Sequence, residues 1–371
     1  MRKRGWLLAI GLRQRWLEAL LVLALLALLG WYGKLGLGFV PRPTPVPTPS
    51  LVRTVPTGLP LLPLGTPTAP DGLIVPLPTA QGTQAPLVTG VLPSPTAAPS
   101  QTPSPTSKGF DGNAAYLDVL AQTKLGPRPP GSTGDRSTRG YITGILHASG
   151  WAVTTQPFTY MGTSCENIIA KAGEGPVIVV GAGYDTRRQA DQDPDPALRE
   201  EPVPGANGSA SGVAVLLELA RTLNKSQLSN QVWLLFMDAE DNGGLDGWDP
   251  LAGAHFFADH LSTSPQAVII LDMIGYKNQQ IYQERNSTPA LQDEIFAIAA
   301  KLGYDAFFIP QYRWQVQDAH TAFLAHGWPA TDIIDFDYPY WHTSHDTADE
   351  VSPDALGRVG RVLQAFLQKT S

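Results

Sequence analysis

The chain has 371 residues, a formal charge of −7 and one cysteine, Cys165. An intrachain disulfide and a cysteine-rich zinc finger are therefore excluded. Nine basic and two acidic residues precede Gly109, which leaves 17 basic and 31 acidic residues after it and a net charge of −14 there. Such a domain has no basic patch with which to displace counterions, so nucleic acid is excluded as a partner.

Arg2, Lys3, Arg4, Arg13 and Arg15 precede Ala19–Leu29, a run of alanine, leucine and valine only. Trp16, Trp31 and Tyr32 suit the two lipid–water interfaces, and the whole stretch approaches the ~20 residues needed to cross a bilayer. Glu18 lies near its edge, where a charge reaches the headgroups. The pattern predicts a basic cytoplasmic tail over residues 1–15 and a transmembrane anchor over 16–33. Everything beyond is then extracytoplasmic, on a single-pass protein of the cell membrane. A cleaved signal peptide is the rival, but no small-x-small site follows the run. Residues 34–108 read as linker, in which Pro41 to Lys108 holds about half of the chain's 34 prolines, mixed with threonine and serine. Proline fixes φ and removes a donor, so neither helix nor sheet propagates. The tract reads as a disordered, semi-rigid spacer reaching at most on the order of 200 Å at ~3.1 Å per residue.

Residues 109–371 read as the folded domain. Asn113–His147 is helical, broken by Leu125–Ser132 (LGPRPPGS). Strands follow at Val153–Thr159, Ile168–Ala170 and Pro176–Tyr184, then a helix at Val213–Leu223. Further strands are expected at Gln231–Asp238, Ala267–Ile274 and Thr331–Phe336. Helices are expected at Ala252–His260, Leu291–Leu302, Asp318–Ala325 and Pro353–Gln368. The alternation predicts an α/β fold, a three-layer α/β/α sandwich with a mostly parallel central sheet.

The most informative stretch is Gln231–Gly247, QVWLLFMDAEDNGGLDG. Val232 to Met237 is an apolar run of the length of a strand buried on both faces. It leads directly into Asp238, Glu240, Asp241 and Asp246. The ends of such strands form the ligand crevice of an open α/β sheet. Adjacent acids there repel unless a cation or hydrogen-bond donors balance them. Two readings stay open on this stretch alone, a general base beside a metal ligand or a solvated loop capping a strand.

Six ordered segments widen the view: Asn167–Ala170, Val177–Thr186 (VIVVGAGYDT), Pro202–Arg221 (PVPGANGSASGVAVLLELAR), Leu234–Gly243 (LLFMDAEDNG), Ile269–Gly275 (IILDMIG) and Tyr340–Thr347 (YWHTSHDT). In this order and spacing they resemble the zinc exopeptidases of metallopeptidase family twenty-eight, aminopeptidases to which the glutaminyl cyclases are related. The resemblance runs from Ala114 to the C-terminus. It implies a co-catalytic pair of zinc ions at the C-terminal edge of the sheet, a bridging aspartate and a glutamate general base. Two metals ~3.5–4 Å apart polarise a carbonyl and lower the pKa of a bound water.

Carried over position by position, the resemblance makes Glu240 the general base. It makes Asp241, Asp272 and His342 metal ligands, and Asp185 the acid that would orient a histidine ligand. Asp318 resembles a buried active-site acid of the cyclases. Two positions depart from the pattern. Gly183 stands where the family has its first histidine ligand, and Gly208 where it has the bridging aspartate. One site keeps Asp272 and the other Asp241 and His342, so zinc is expected as one ion at most, held where those three side chains converge, or as none. A catalytic zinc normally has three protein ligands.

The expected function is a membrane-anchored, extracytoplasmic peptidase-like domain with impaired catalysis, in which Glu240, Asp272 and Asp318 hold an amine or a peptide terminus. One alternative is an active, single-metal aminopeptidase hydrolysing N-terminal residues of peptides. Another is glutaminyl cyclase-like acyl transfer. Tyr340 and Trp341, with Tyr338, are candidate walls of a hydrophobic side-chain pocket, and plain packing at a strand end is the alternative. Phe307–Trp314 (FFIPQYRW) is a candidate lid, and Asp191–Glu201 an acidic excursion beside the crevice. His320 is a lesser candidate for lining that crevice.

Overall fold

The computed structural model describes residues 109–368. The basic tail, the anchor and the linker expected over residues 1–108 lie outside the described residues. Among the described residues no helix is long and apolar enough to cross a membrane.

Two helices open the domain, α1 (Gly112–Lys124) and α2 (Thr133–Ala148). Each begins where a short polar side chain satisfies a free N–H group: Asp111 accepts from Asn113 N, and Ser132 from Asp135 N. Between them lies the expected proline-rich break. A hairpin follows, β1 (Ala152–Tyr160) and β2 (Thr163–Ala172), and then β3 (Val177–Gly183). Next come α3 (Ala210–Thr222), β4 (Gln231–Met237), α4 (Ala252–Asp259) and β5 (Ala267–Asp272). The last part holds β6 (Ile281–Glu284), α5 (Pro289–Lys301), β7 (Phe308–Trp314), α6 (His320–Ala325), β8 (Ala330–Ile334) and α7 (Pro353–Leu367).

The main sheet has the order β1-β2-β4-β3-β5-β8. Strands β4, β3, β5 and β8 are parallel, and the β1–β2 hairpin adds antiparallel pairs at one edge. The period of two along each buried strand sorts its side chains between the faces. Val232, Leu234 and Phe236 of β4 join one core with α1, α2, α3, α5 and α7, while Trp233, Leu235 and Met237 join the other with α4 and α6. The result is the expected three-layer α/β/α sandwich. Helix α3 presses closely on the sheet, since a Cβ on Gly212 would lie 2.7 Å from Leu271 O and 2.8 Å from Ala182 Cβ.

The candidate lid is largely a strand, Phe308–Trp314 (β7), paired in parallel with β6 in a separate two-stranded sheet, and none of its residues lines the cleft described below. Sequence reading gave β6 no place, because it is only four residues long. The chain leaves β3 to reach β4 on one side and then crosses to β5 on the other. Topology reverses around β3, the position at which such sheets open a crevice beyond their strand ends.

Candidate functional site

The site is assembled where β3, β4 and β5 end side by side. Asp185, just past β3, is fully buried. Its Oδ1 accepts Glu240 N–H at 2.8 Å, and its Oδ2 accepts Asp241 N–H at 3.2 Å and the Asn242 amide at 3.3 Å. The tip of β3 thereby fastens the loop that follows β4. Ala239 turns that loop with φ 63°, a left-handed conformation that costs a non-glycine residue on the order of 1 kcal/mol. The turn aims Glu240 at α4, where its Oε1 accepts Ala254 N–H at 2.8 Å. Glu240 Oε2 is buried and has no hydrogen-bond partner among the described residues. Burial, with Asp185, Asp318 and Asp249 nearby, pushes the Glu240 carboxyl well above the usual carboxylate range against the pull of the Ala254 N–H.

Asp272 ends β5, and the next residue, Met273, is again left-handed at φ 50°. Burial and the charges of Asp318 and Asp241 push the Asp272 carboxyl well up. His342 lies on the loop after β8 and is the third left-handed residue here, at φ 57°. Its Nε2 stands 2.9 Å from Asp241 Oδ1. Asp241 Oδ2 accepts Arg187 N–H at 2.9 Å, and the Arg187 guanidinium holds Asp241 O, Gly243 O and the Asp191 carboxylate. Both oxygens of Asp241 are thus engaged by groups of the protein itself.

Glu240, Asp241, Asp272, Asp318, Trp341 and His342 line one cleft of about 310 Å³. Asp185 sits beneath it as an anchor for the β4 loop. Trp341 is 41% exposed and stacks on His342, with ring centroids 3.8 Å apart. Tyr340 packs edge-on to Tyr338 within an aromatic cluster that includes Trp314 and Phe336. From the acidic excursion, Gln192 reaches the cleft, and the buried Asp193 accepts the Ser344 N–H and hydroxyl.

Gly183 and Gly208 face each other's surroundings across a recess of about 50 Å³, which they line together with Glu240, Asp241, Asp272 and Asp318. Neither glycine is left-handed, so the backbone does not demand glycine there. A Cβ on Gly183 would meet Glu240 Cβ at 3.3 Å, and one on Gly208 would meet Asp346 Oδ2 at 3.0 Å. Asp346 instead accepts the N–H groups of Asn207 and Gly208 and the Tyr338 hydroxyl. These residues do not fit a two-zinc centre, because two positions carry no donor. Among the described residues, Asp241, Asp272 and His342 do not gather three donor atoms within 4.8 Å of one another.

Some organising residues had no place in the sequence reading. Arg128, from the proline-rich break, is fully buried and donates to Tyr184 O, Pro204 O, Gly205 O and Ser209 Oγ. It ties the segment that carries Gly208 to the end of β3. Against burial, which lowers it, the charges of Asp346, Asp185 and Asp241 hold its pKa at about 10. Glu284 and Asp332 are two more, and His320, expected as a lesser candidate for lining the crevice, is instead wholly buried behind it beside them. A charged residue inside a strand otherwise read as buried, Asp332, was the available signal.

Residues 167–367 match the family model described as peptidase family M28. The domain is similar to a leucine aminopeptidase precursor from Bacteroides thetaiotaomicron, with a TM-score of 0.68 and 30% identity over 72% of this chain and 99% of that one. It is also similar to a glutaminyl cyclase of the same organism bound to N-acetylhistamine, with a TM-score of 0.67 and 30% identity over 72% of this chain and 100% of that one. The Escherichia coli protein YfbL is 32% identical over 153 residues, which span 41% of this chain and 45% of YfbL.

Proposed function

This chain belongs to peptidase family M28, and from that premise we propose that its domain binds the amino terminus of peptides while the family's two-zinc hydrolysis is impaired. One observation carries the reading. Asp241 accepts from Arg187 and contacts His342, Asp272 remains, and the other two ligand positions are the side-chain-free Gly183 and Gly208. The cleft nevertheless keeps its acids. Glu240 and Asp272 are buried carboxyls that repel one another's neighbours and lack a cation of the protein's own. An ammonium group entering the cleft would favour the ionised forms of both and donate charge-assisted hydrogen bonds to them, worth about 1.5–3 kcal/mol each. Trp341 offers the apolar wall for the first side chain.

The test uses the full chain in detergent. A peptide with a free amino terminus is expected to bind at least about tenfold more tightly than its N-acetylated form, a difference of ~1.4 kcal/mol. Release of arylamine from aminoacyl-arylamides and cyclisation of an N-terminal glutamine are both expected at the uncatalysed rate. Chelator-sensitive turnover of either substrate would remove the reading in favour of an active aminopeptidase or a cyclase.

The same proposal puts the domain outside the cell, held by residues 16–33. The basic flank and apolar run support this. Alkaline carbonate should leave the chain in the membrane pellet, and release into the supernatant would count against the anchor.

A further inference from the structure

Behind the floor of the cleft, Asp318 and His320 at the start of α6 meet Asp332 in the middle of β8. Each offers one donor atom, and the three atoms lie within 4.8 Å of one another. His320 and Asp332 are wholly inaccessible to solvent. Both oxygens of Asp332 and Oδ2 of Asp318 lack a hydrogen-bond partner among the described residues. An ionised carboxylate left so is costly, and it must share a proton or meet a cation.

Glu284, the other acid at His320, is held by donors of its own. It accepts the N–H groups of Asn286, Ser287 and Val316 and the Ser287 hydroxyl. His320 Nε2 lies 3.2 Å from Glu284 Oε2, while Nδ1 lies 3.9 Å from Asp332 Oδ2. Neither ring nitrogen makes a hydrogen bond among the described residues, so Nδ1 faces the Asp332 carboxyl with nothing of the protein between them. A carboxylate that holds one imidazole nitrogen so that the other is presented outward is how metal-binding histidines are commonly oriented.

We propose that Asp318, His320 and Asp332 form a binding site for a divalent cation of the zinc class. The mixed oxygen and nitrogen donors favour zinc over magnesium or calcium, which take oxygen ligands. Zinc–ligand bonds of ~2.0–2.2 Å need donors ~3.5 Å apart, so the side chains close by on the order of 1 Å. The set shares no residue with Asp241, Asp272 and His342, the ligand positions that remain of the family's pattern. Asp318 also lines the cleft, so the ion would fix one wall of the peptide site.

The test equilibrates the full chain with Zn²⁺, removes excess metal and counts bound zinc by mass spectrometry. One zinc per chain is expected in the wild type and in Asp241→Asn, and less than about a tenth of that in Asp332→Asn and His320→Gln. Zinc absent from the wild type, or unchanged in both cluster variants, would overturn the site. Zinc lost from Asp241→Asn but kept in Asp332→Asn would overturn it too, and would also count against the impaired two-zinc reading. Should both cluster variants fail to fold, anomalous scattering at the zinc edge from wild-type crystals decides: a peak beside His320 supports the site, and a peak beside His342 overturns it.

Discussion

Two groups of acids lie at the same edge of the sheet and are handled in opposite ways. Around Asp185 and Asp241 every carboxylate oxygen has a partner: the N–H groups of Glu240, Asp241 and Arg187, the Asn242 amide and the His342 ring. Around Asp332 the oxygens face His320 and Asp318 and receive no donor among the described residues. Both groups are rich in potential metal ligands, and only the second leaves its donor atoms free. The capacity of an acidic cluster to take a cation is thus set less by its residue types than by whether backbone N–H groups have already claimed the oxygens. Loss of side chains at Gly183 and Gly208 goes together with closure of the first cluster.

The sharpest way to break that comparison is to remove one acid from each. Asp185→Ala takes the acceptor from the part-buried N–H groups of Glu240 and Asp241 and leaves the Asn242 amide only Thr186 O, and it should lower stability by ~3 kcal/mol, since each unsatisfied donor costs ~1–3 kcal/mol. Asp332→Asn, measured in chelator, removes a buried carboxyl that no donor among the described residues supports. It should leave stability unchanged or raise it by on the order of 1 kcal/mol. Urea unfolding of the full chain compares them. A loss in Asp332→Asn as large as that in Asp185→Ala would show that the second cluster is paired after all.

Much of this architecture was legible because buried parallel strands are written as uninterrupted apolar runs. Val177–Val180, Val232–Met237 and Ala267–Leu271 needed no partner to be recognised, and the acids that follow them marked the edge where ligands gather. Strands β6 and β7 were not legible in the same way. Ile281–Glu284 is too short to show a period, and Phe308–Trp314 carries Pro310, Gln311 and Arg313 on a largely exposed strand. The resemblance to the exopeptidases exposed Glu240, Asp241, Asp272 and His342 as a group. The closure of Asp241 stayed hidden, because its second partner is the main chain of Arg187, and any residue has an N–H group to give. The cluster behind the cleft joins Glu284, His320 and Asp332 from three separate elements, a proximity that no local pattern encodes.

A smaller effect sharpens the comparison at an intermediate case. Asp335, one residue beyond β8, is 1% exposed and accepts N–H groups from Gln280 at 3.0 Å and Asp337 at 3.3 Å. It has fewer donors than Asp185 and more than Asp332. Burial pushes its pKa up from 3.8 to about 6, against those two N–H groups, with Asp337 adding to the rise and Arg313 opposing it. The folded state therefore holds this proton more tightly than the unfolded chain does. Its contribution to stability is complete below pH ~4, declines as the pH rises toward ~6, and is gone above it. Asp335→Asn cannot titrate and should lack that decline. The stability of the variant relative to wild type should accordingly climb by about 2 kcal/mol between pH 4 and pH 7. Unfolding curves of both proteins at the two pH values measure this difference directly, and a difference independent of pH would mean that the two N–H groups suffice to keep Asp335 ionised, placing it with the closed cluster.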